Sequence, residues 1–264
     1  MHADIVELRE FYGTTLGHLA ERSIFTALQP LWPKLASERL VGIGYAVPWL
    51  DRLQEGAERT FAFMPAGMGA ASWPLEGKSR TALVFDEELP LPEASVDRIL
   101  MAHALEHSED PRETLKEMFR VLAPGGRLVI IVPNRRGLWA RFETTPFGNG
   151  RPYSRGQLVR LLREANFTPE GFNEALMFPP STNRAVMRST QWLDTLGHKL
   201  ALPFAGALII EAHKKMYQGL PVSSRSSRRV FVPVLAPQGM NRQEPSSPCA
   251  APTPFKARFA HTSG

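Results

Sequence analysis

The chain has 264 residues, of which 43% are hydrophobic, and this suits one large soluble domain with appendages. Its one cysteine, Cys249, excludes an intramolecular disulfide and a cysteine-rich metal site, so we predict no metal. The net charge of +5 belongs to the segment after residue 221, which has six basic residues and one glutamate. The rest is neutral, with 25 basic and 25 acidic residues (31 less 6 and 26 less 1), and gives no argument for nucleic-acid binding.

The two ends of the chain predict a cytoplasmic protein with a polar tail. The first ten residues are not basic and then apolar, so we predict no secretory signal. The longest apolar run, 200–210, contains Pro203 and Gly206 and is shorter than the roughly 20 residues of a membrane helix. Serine, arginine and proline dominate residues 222–264, which we predict to be a disordered basic tail. Its arginines could contact an acidic or phosphate-rich partner weakly; the alternative is a solvated tail.

Apolar periodicity predicts an N-terminal helical segment over residues 1–34, with one helix from Asp4 to Leu31. Short apolar runs bounded by turn residues predict seven strands: 39–43, 59–64, 82–85, 98–102, 128–132, 168–177 and 207–212. Other predicted helices are one that Pro48 could start and residues 51–56 complete, one capped by Ser154, and 184–199.

A well-marked helix lies between the fourth and fifth predicted strands. Asp110 is its predicted N-cap, Pro111 its first residue and Glu113 its capping-box partner, and the run Pro124-Gly125-Gly126 stops it. A strand–helix–strand unit of this kind favours a right-handed parallel crossover.

A set of short motifs follows in a defined order and spacing: Asp86, Leu89-Pro90, Ala94-Ser95-Val96-Asp97, Leu105-Glu106-His107, Arg120-Val121-Leu122 and Pro124-Gly125-Gly126. In that order they resemble the class I S-adenosylmethionine-dependent methyltransferases, in particular the type-11 methyltransferase domain. The resemblance implies a Rossmann-like three-layer α/β sandwich over residues 35–217. Its sheet would have seven strands, mostly parallel, with an antiparallel last strand, and its cofactor would be S-adenosylmethionine.

The resemblance also implies a cofactor loop after the first strand, and the loop is degenerate here. It places Gly42, Gly44, Tyr45 and Ala46 in contact with the cofactor. Gly42 stands where the family has an acidic residue. A helix that leads the domain often covers this site in the family; the alternative is a helix that only packs on the edge of the sheet.

In the resembled family, the ends of the second and third strands contact the nucleoside part of the cofactor. The second strand ends in Met64 and Pro65, where the family has a carboxylate for the ribose hydroxyls. After the third strand, Asp86 would accept a hydrogen bond from the adenine amino group, with Glu87 and Leu89 beside it. The alternative for Asp86 is a turn or helix cap.

The end of the fourth strand carries the candidate acid–base residue. In the resembled family this segment faces the sulfonium and the acceptor, so His103 is predicted to be catalytic and to touch the cofactor. His107 is a second candidate, and a structural role is the alternative for both. Glu106 is interpreted as a structural hydrogen-bonding residue.

The chain after the fifth strand is predicted to contact the acceptor through Asn134, Arg135 and Trp139. The alternative is a solvated basic turn. The loop 145–152, interrupted by glycine and proline, could be a mobile lid.

Three functions remain after this reading. The favoured one is an S-adenosylmethionine-dependent methyltransferase whose acceptor, a small molecule or a protein, is unknown. The second is a non-catalytic relative that binds a ligand or a partner, which the degenerate loop supports. A nicotinamide-dinucleotide enzyme fits worse, because it needs a fuller Gly-x-Gly-x-x-Gly run.

Overall fold

The computed structural model describes residues 4–32, 35–181 and 205–215, and residues 1–219 form one compact unit. The helices are α1 (Ile5–Gly13), α2 (Thr15–Leu28), α3 (Val47–Leu53), α4 (Pro111–Val121) and α5 (Arg155–Glu164), with short 3-10 helices at Trp139–Arg141 and Pro146–Gly148. The strands are β1 (Arg39–Gly44), β2 (Arg59–Pro65), β3 (Thr81–Val84), β4 (Val96–Ala102), β5 (Leu122–Pro133), β6 (Thr168–Ala175) and β7 (Ala207–His213). The predicted helix 184–199 and tail 222–264 lie outside the described residues. No described helix is long and apolar enough to cross a membrane.

The seven strands form one sheet in the order β3-β2-β1-β4-β5-β7-β6. Strands β1 to β5 pair in parallel, and β7 runs antiparallel to both β5 and β6. This confirms the mostly parallel seven-stranded sheet with an antiparallel last strand. Gly44 of β1 pairs with Ala102 of β4, so the carboxyl ends of these two strands lie side by side.

Two hydrophobic cores lie on the two faces of the sheet, because successive side chains of a strand alternate between faces. In β4, Leu100 and Ala102 belong to the core that α1, α2 and α3 cover. Ile99 and Met101 belong to the core that α4 and α5 cover. This is the three-layer α/β sandwich that the sequence predicted.

The N-terminal helical segment differs from its prediction, because it is two helices and not one. Thr14 separates them: its hydroxyl donates to the carbonyl of Phe11 and accepts from the N–H of Gly17, so it caps α2. A Cβ at Gly17 would lie 2.0 Å from the Phe11 oxygen, so only glycine permits this tight break. Both helices then pack on the sheet and share its first core.

The sequence predicted the helix caps more accurately than the first and last residues of the helices and strands. Asp110 caps α4 and Ser154 forms a capping box with Gln157, both as predicted. However, α4 ends at Val121 and Leu122 already starts β5, so the proline–glycine run lies within the strand. The prediction that Pro48 starts the next helix is confirmed to within one residue, since α3 begins at Val47; it ends at Leu53 and so is shorter than predicted.

The sheet lacks α-helical cover after β2 and after β3, where residues 66–80 and 85–95 form turns and loops. The loop after β2 is held by Trp73, which is 1% exposed and packs in the first core. Its indole N–H donates to the carboxylate of Asp51 at 2.8 Å, which fixes the loop to α3. One bulky side chain thus covers the region of the sheet where a helix commonly lies.

Candidate active site

The candidate site lies at the carboxyl ends of β1 and β4. The chain leaves β1 toward β2 and β3 on one side, whereas β4 and β5 lie on the other side. In an open parallel sheet such a reversal of strand order opens a crevice that binds ligands. His103 follows β4 directly and has φ of +51°, a conformation that side-chain-bearing residues adopt rarely and that occurs often at functional sites.

His103 belongs to a buried chain of three polar side chains. The hydroxyl of Tyr12, on α1, lies 2.8 Å from its Nε2 atom. Its Nδ1 atom lies 3.3 Å from a carboxylate oxygen of Glu106, and the side chains of His103 and Glu106 are 1% and 0% exposed. Neither Glu106 oxygen has a hydrogen-bond partner among the described residues, apart from this contact with the imidazole. Burying a carboxylate that only one imidazole contacts lowers the stability of the fold. Such a group in a native structure calls for an explanation, and a functional role is one.

Burial, reinforced by Tyr45 and Glu106, raises the pKa of Tyr12 well above its usual value, so its hydroxyl keeps its proton. A protonated hydroxyl can donate to Nε2 of His103 or accept from it, and the imidazole tautomer decides which. If the imidazole proton is on Nδ1, which faces Glu106, Tyr12 donates and Nε2 accepts. With either tautomer, Tyr12 covers Nε2.

Aromatic rings fill the space around this chain. The Tyr12 ring lies 5.6 Å from the rings of both Tyr45 and Trp49, and the His103 ring lies 4.9 Å from that of Phe147. Phe147 comes from the predicted lid loop 145–152 and is buried. Helix α1 and this loop together close the crevice above β1 and β4.

Glycine is required at two positions before α3 because other parts of the protein pack closely against the backbone there. Gly44 has φ of +77°, and a Cβ there would lie 2.3 Å from the carbonyl oxygen of Ala102. A Cβ at Gly42 would lie 2.7 Å from Leu50 of α3. Tyr45 and Ala46 are buried beside them. The close approach that demands glycine here is that of neighbouring protein atoms.

The end of β3 offers an apolar ring and a carboxylate to a planar ligand. Phe85 is 73% exposed, and Asp86 beside it is partly buried. The Asp86 carboxylate accepts a hydrogen bond from the Thr114 hydroxyl at 3.2 Å, so it also ties the strand end to α4. Leu89 is buried in the second core and Glu87 is exposed. At the end of β2, Met64 and Pro65 are buried and bring no carboxylate.

The three residues predicted to contact an acceptor have partners within the protein. The Trp139 indole N–H donates to the carbonyl of Phe178 at 2.6 Å, and the Asn134 side chain donates to that of Ala205 at 2.8 Å. Both side chains are buried. Arg135 is exposed and its Nε donates to the Pro152 carbonyl at 3.3 Å. An acceptor role for these residues stays a prediction. Their hydrogen bonds within the protein also support a structural role.

A cavity of about 810 Å³ lies between α1 and the loop that carries Phe147. Its lining includes Glu7 and Glu10 of α1, Glu143 of the loop, and His107. His107 is buried and follows Glu106, so this cavity adjoins the polar chain of His103. No cluster of metal-ligating side chains occurs in the described parts of the chain.

The strands that build this crevice are also the part of the chain with recognisable relatives. Residues 41–130 match the family model of the type-11 methyltransferase domain, and they run from β1 into β5. Over this stretch the chain is similar to a methyltransferase domain. It is 27% identical to a demethylmenaquinone methyltransferase of Thermus thermophilus over 63% of this chain and 77% of that protein. It is 34% identical to the 27-O-demethylrifamycin SV methyltransferase of Amycolatopsis mediterranei over 38% and 40% of the two chains.

Solved structures agree with this fold. The crystal structure of an S-adenosylmethionine-dependent methyltransferase from Thermotoga maritima aligns with a TM-score of 0.56 at 22% identity, covering 80% of this chain and 96% of that one. At this identity the likeness shows the fold alone. The chain spans less than two thirds of the length of most curated relatives that it matches.

S-adenosylmethionine is the cofactor that the methyltransferase family implies, and the crevice fits it unevenly. Phe85 and Asp86 suit an adenine ring and its amino group. The second strand supplies no carboxylate for the ribose, and Gly42 replaces the acidic residue of the first turn. Tyr12 packs against Tyr45 of the turn after β1, where the family would place the cofactor loop.

Two members of the polar chain were not among the predicted site residues. Tyr12 lies on the first helix of the chain, and its partner His103 lies 91 positions away. Glu106 was interpreted as structural, although its spacing of three from His103 was visible. For Tyr12 the sequence contains no local signal, because the contact depends on how α1 packs.

Proposed function

We propose that this protein transfers a methyl group from S-adenosylmethionine to an acceptor molecule. The observation that carries the proposal is that the family match covers β1 to β5, the strands whose carboxyl ends border the crevice of His103. The match alone would support only a fold, but here it coincides with a buried acid–base chain at the ligand-binding edge.

The cofactor supplies an activated methyl group on a sulfonium, and the protein's own residues orient the reactants and manage a proton. Asp86 and Phe85 would hold the adenine. His103 would take the proton of the acceptor at Nε2, and Glu106 would hold the imidazole through Nδ1. Because Tyr12 covers Nε2, this role requires α1 to carry Tyr12 away from the crevice.

The acceptor is not carried over from relatives. By their names, one relative acts on demethylmenaquinone and another on 27-O-demethylrifamycin SV. The cavity of about 810 Å³ between α1 and the Phe147 loop is the proposed acceptor site, since it is lined by His107, the residue after Glu106. The cytoplasmic location stays a prediction from the sequence.

A second candidate function is ligand binding without methyl transfer. It is favoured by one observation: Tyr12 and its aromatic neighbours occupy the space above the ends of β1 and β4. A protein that no longer transfers methyl groups could keep the fold and bind a ligand in this covered crevice.

Calorimetric titration with S-adenosylmethionine and S-adenosylhomocysteine separates the two functions. We expect both to bind, and we expect Asp86→Ala to weaken both by about tenfold through loss of one charge-assisted hydrogen bond. Glu87→Ala is the matched control, because its exposed carboxylate is the next residue. Absence of binding at millimolar concentration would reject the methyltransferase in favour of the second function.

A further inference from the structure

A buried chain of hydroxyl groups leads to the carboxylate of Asp86. The Thr114 hydroxyl, near the start of α4, lies 3.2 Å from Oδ2 of Asp86. The hydroxyl of Ser108 lies 2.8 Å from that of Thr114. Thr114 is 0% exposed and Ser108 is 3% exposed, so water does not compete for these contacts. The chain of hydroxyls therefore joins the end of β3 to α4 and to the segment that follows β4.

The hydrogen-bonding capacity of a hydroxyl decides the direction of this chain. A threonine has one hydroxyl proton, and two acceptors lie within reach of it at Thr114: the Asp86 carboxylate and the carbonyl of Asp110, at 3.1 Å. The Asp110 carbonyl already accepts the backbone N–H of Thr114. An ionised carboxylate is also the stronger acceptor. The proton of Thr114 is thus directed to Asp86, and the Ser108 hydroxyl can donate to Thr114 in turn.

The two hydroxyl groups are held by the backbone around them. Asp110 caps α4, because its side chain accepts two N–H groups of the first turn, and this fixes the part of the helix that carries Thr114. On the other side, the N–H of Ser108 donates to the carbonyl of Ala104 at 3.0 Å. Both hydroxyls are therefore in place before any ligand binds.

The Asp86 side chain, by contrast, depends on Thr114 for its orientation. Among the described residues the Asp86 carboxylate makes no hydrogen bond or ion pair apart from the one with Thr114. That bond favours one rotamer through Oδ2 and leaves Oδ1 for a donor from outside the protein. A ligand that binds here then meets a carboxylate that is already oriented, which lowers the entropy cost of binding.

We propose that Thr114, supported by Ser108, is a positioning residue for the Asp86 carboxylate and so sets the preference of this site for a ring with an amino group. The inference rests on the proposed function, in which Asp86 accepts a hydrogen bond from the adenine amino group. Thr114 acts only through Asp86 in this assignment. A purine that lacks the amino group gains nothing from the oriented carboxylate.

Calorimetric titration of the whole chain tests this role with two ligands: S-adenosylhomocysteine, and its analogue with hydrogen in place of the adenine amino group. Thr114→Val keeps the shape of the side chain and removes the hydroxyl. We expect it to weaken the binding of S-adenosylhomocysteine about fivefold, the typical contribution of one hydrogen bond. Its affinity for the analogue should not change. Thr114→Ser should bind both ligands like the parent, because it keeps the hydroxyl.

Thr26→Val is the matched control. The Thr26 hydroxyl donates to the carbonyl of Arg22, four residues before it, as that of Thr114 can to Asp110, but Thr26 is exposed on α2. Its replacement should change neither affinity. A double-mutant cycle adds a second test. Once Asp86→Ala has removed the carboxylate, Thr114→Val should have no further effect on the binding of S-adenosylhomocysteine.

Three results would overturn the positioning role while the methyltransferase proposal stands. The first is an affinity for S-adenosylhomocysteine that Thr114→Val leaves unchanged. The second is an equal loss for both ligands, which would show that Thr114 only stabilises the fold around the site. The third is a further loss when Thr114→Val is added to Asp86→Ala. If the parent binds neither ligand at millimolar concentration, the methyltransferase proposal itself is rejected, and this inference with it.

Discussion

The two halves of the sheet differ in how completely they are built. The half with β4, β5 and β7 is covered by α4 and α5, and β4 and β5 are almost entirely buried between Ile99 and Ala102 and between Leu128 and Val132. The half with β2 and β3 lacks a helix after either strand and ends in an exposed apolar edge. The motifs that resemble the methyltransferase family lie mainly in the first half, whereas the departures from the family lie on β1 and β2.

This difference teaches where the family's sequence signals come from. Two residues of the recognisable motifs make structural contacts: the Leu89 N–H donates to Glu117 at 2.7 Å, and Asp97 forms a two-point contact with Arg39. Packing also constrains two positions where the family would hold the cofactor. Met64 is buried, and a Cβ at Gly42 would lie 2.7 Å from Leu50.

The largest expected effect compares a core leucine of the complete half with an exposed leucine of the open half. Leu128→Ala should lower the free energy of unfolding by about 3 kcal/mol, because Leu128 is fully buried and a cavity remains. Leu83→Ala should change it by less than about 0.5 kcal/mol. Urea unfolding at low protein concentration measures both. Similar losses in the two variants would mean that β3 is covered in solution.

The next effect concerns the acid–base chain between the halves. His103→Gln should reduce the rate of methyl transfer at saturating S-adenosylmethionine by about 100-fold, the usual contribution of a general base. The KM for the cofactor should change little. His18→Gln is the control, since the His18 side chain is 66% exposed on α2. If His103→Gln keeps full turnover and only melts at lower temperature, His103 is structural.

A smaller effect is expected at Tyr12, which joins α1 to the crevice. Tyr12→Phe should lower the free energy of unfolding by about 1 kcal/mol, the typical worth of a buried hydrogen bond. It should also raise turnover a few-fold, because Nε2 of His103 is no longer covered. Tyr153→Phe loses a comparable bond, to the carbonyl of Leu105, without touching His103. A fall in turnover specific to Tyr12→Phe would instead make its hydroxyl part of the proton path.

The smallest effect is a pH dependence at the start of β1 and β4. Hydrogen bonds from Arg39 hold the pKa of Asp97 below its usual range. The pair therefore stabilises the fold fully above the ordinary pKa of an aspartate, near about 4, and this stability is lost as pH falls through the depressed pKa. Asp97→Asn should cost about 1 kcal/mol or less at pH 7, since the pair is partly exposed. The gap between parent and variant should close in acid; a gap independent of pH would assign the effect to packing.

Sequence patterns alone were enough for the strands, most helices and the caps at Asp110 and Ser154. These features depend on neighbours within a few positions, such as a carboxylate near free N–H groups or an apolar run bounded by turn residues. The break of the first helix at Thr14 was missed, because the periodicity of apolar residues continues across it.

The candidate site depended on contacts between distant parts of the chain, and these only the tertiary structure decided. His103 was identified from its position after β4, but its state is set by Tyr12 of α1 and by the burial of Glu106. The burial that raises the pKa of Tyr12 depends on aromatic rings from α1 and the β1–α3 turn. Local sequence determined which elements form, whereas the packing of α1 over the sheet determined which of their polar groups are buried together and which remain accessible.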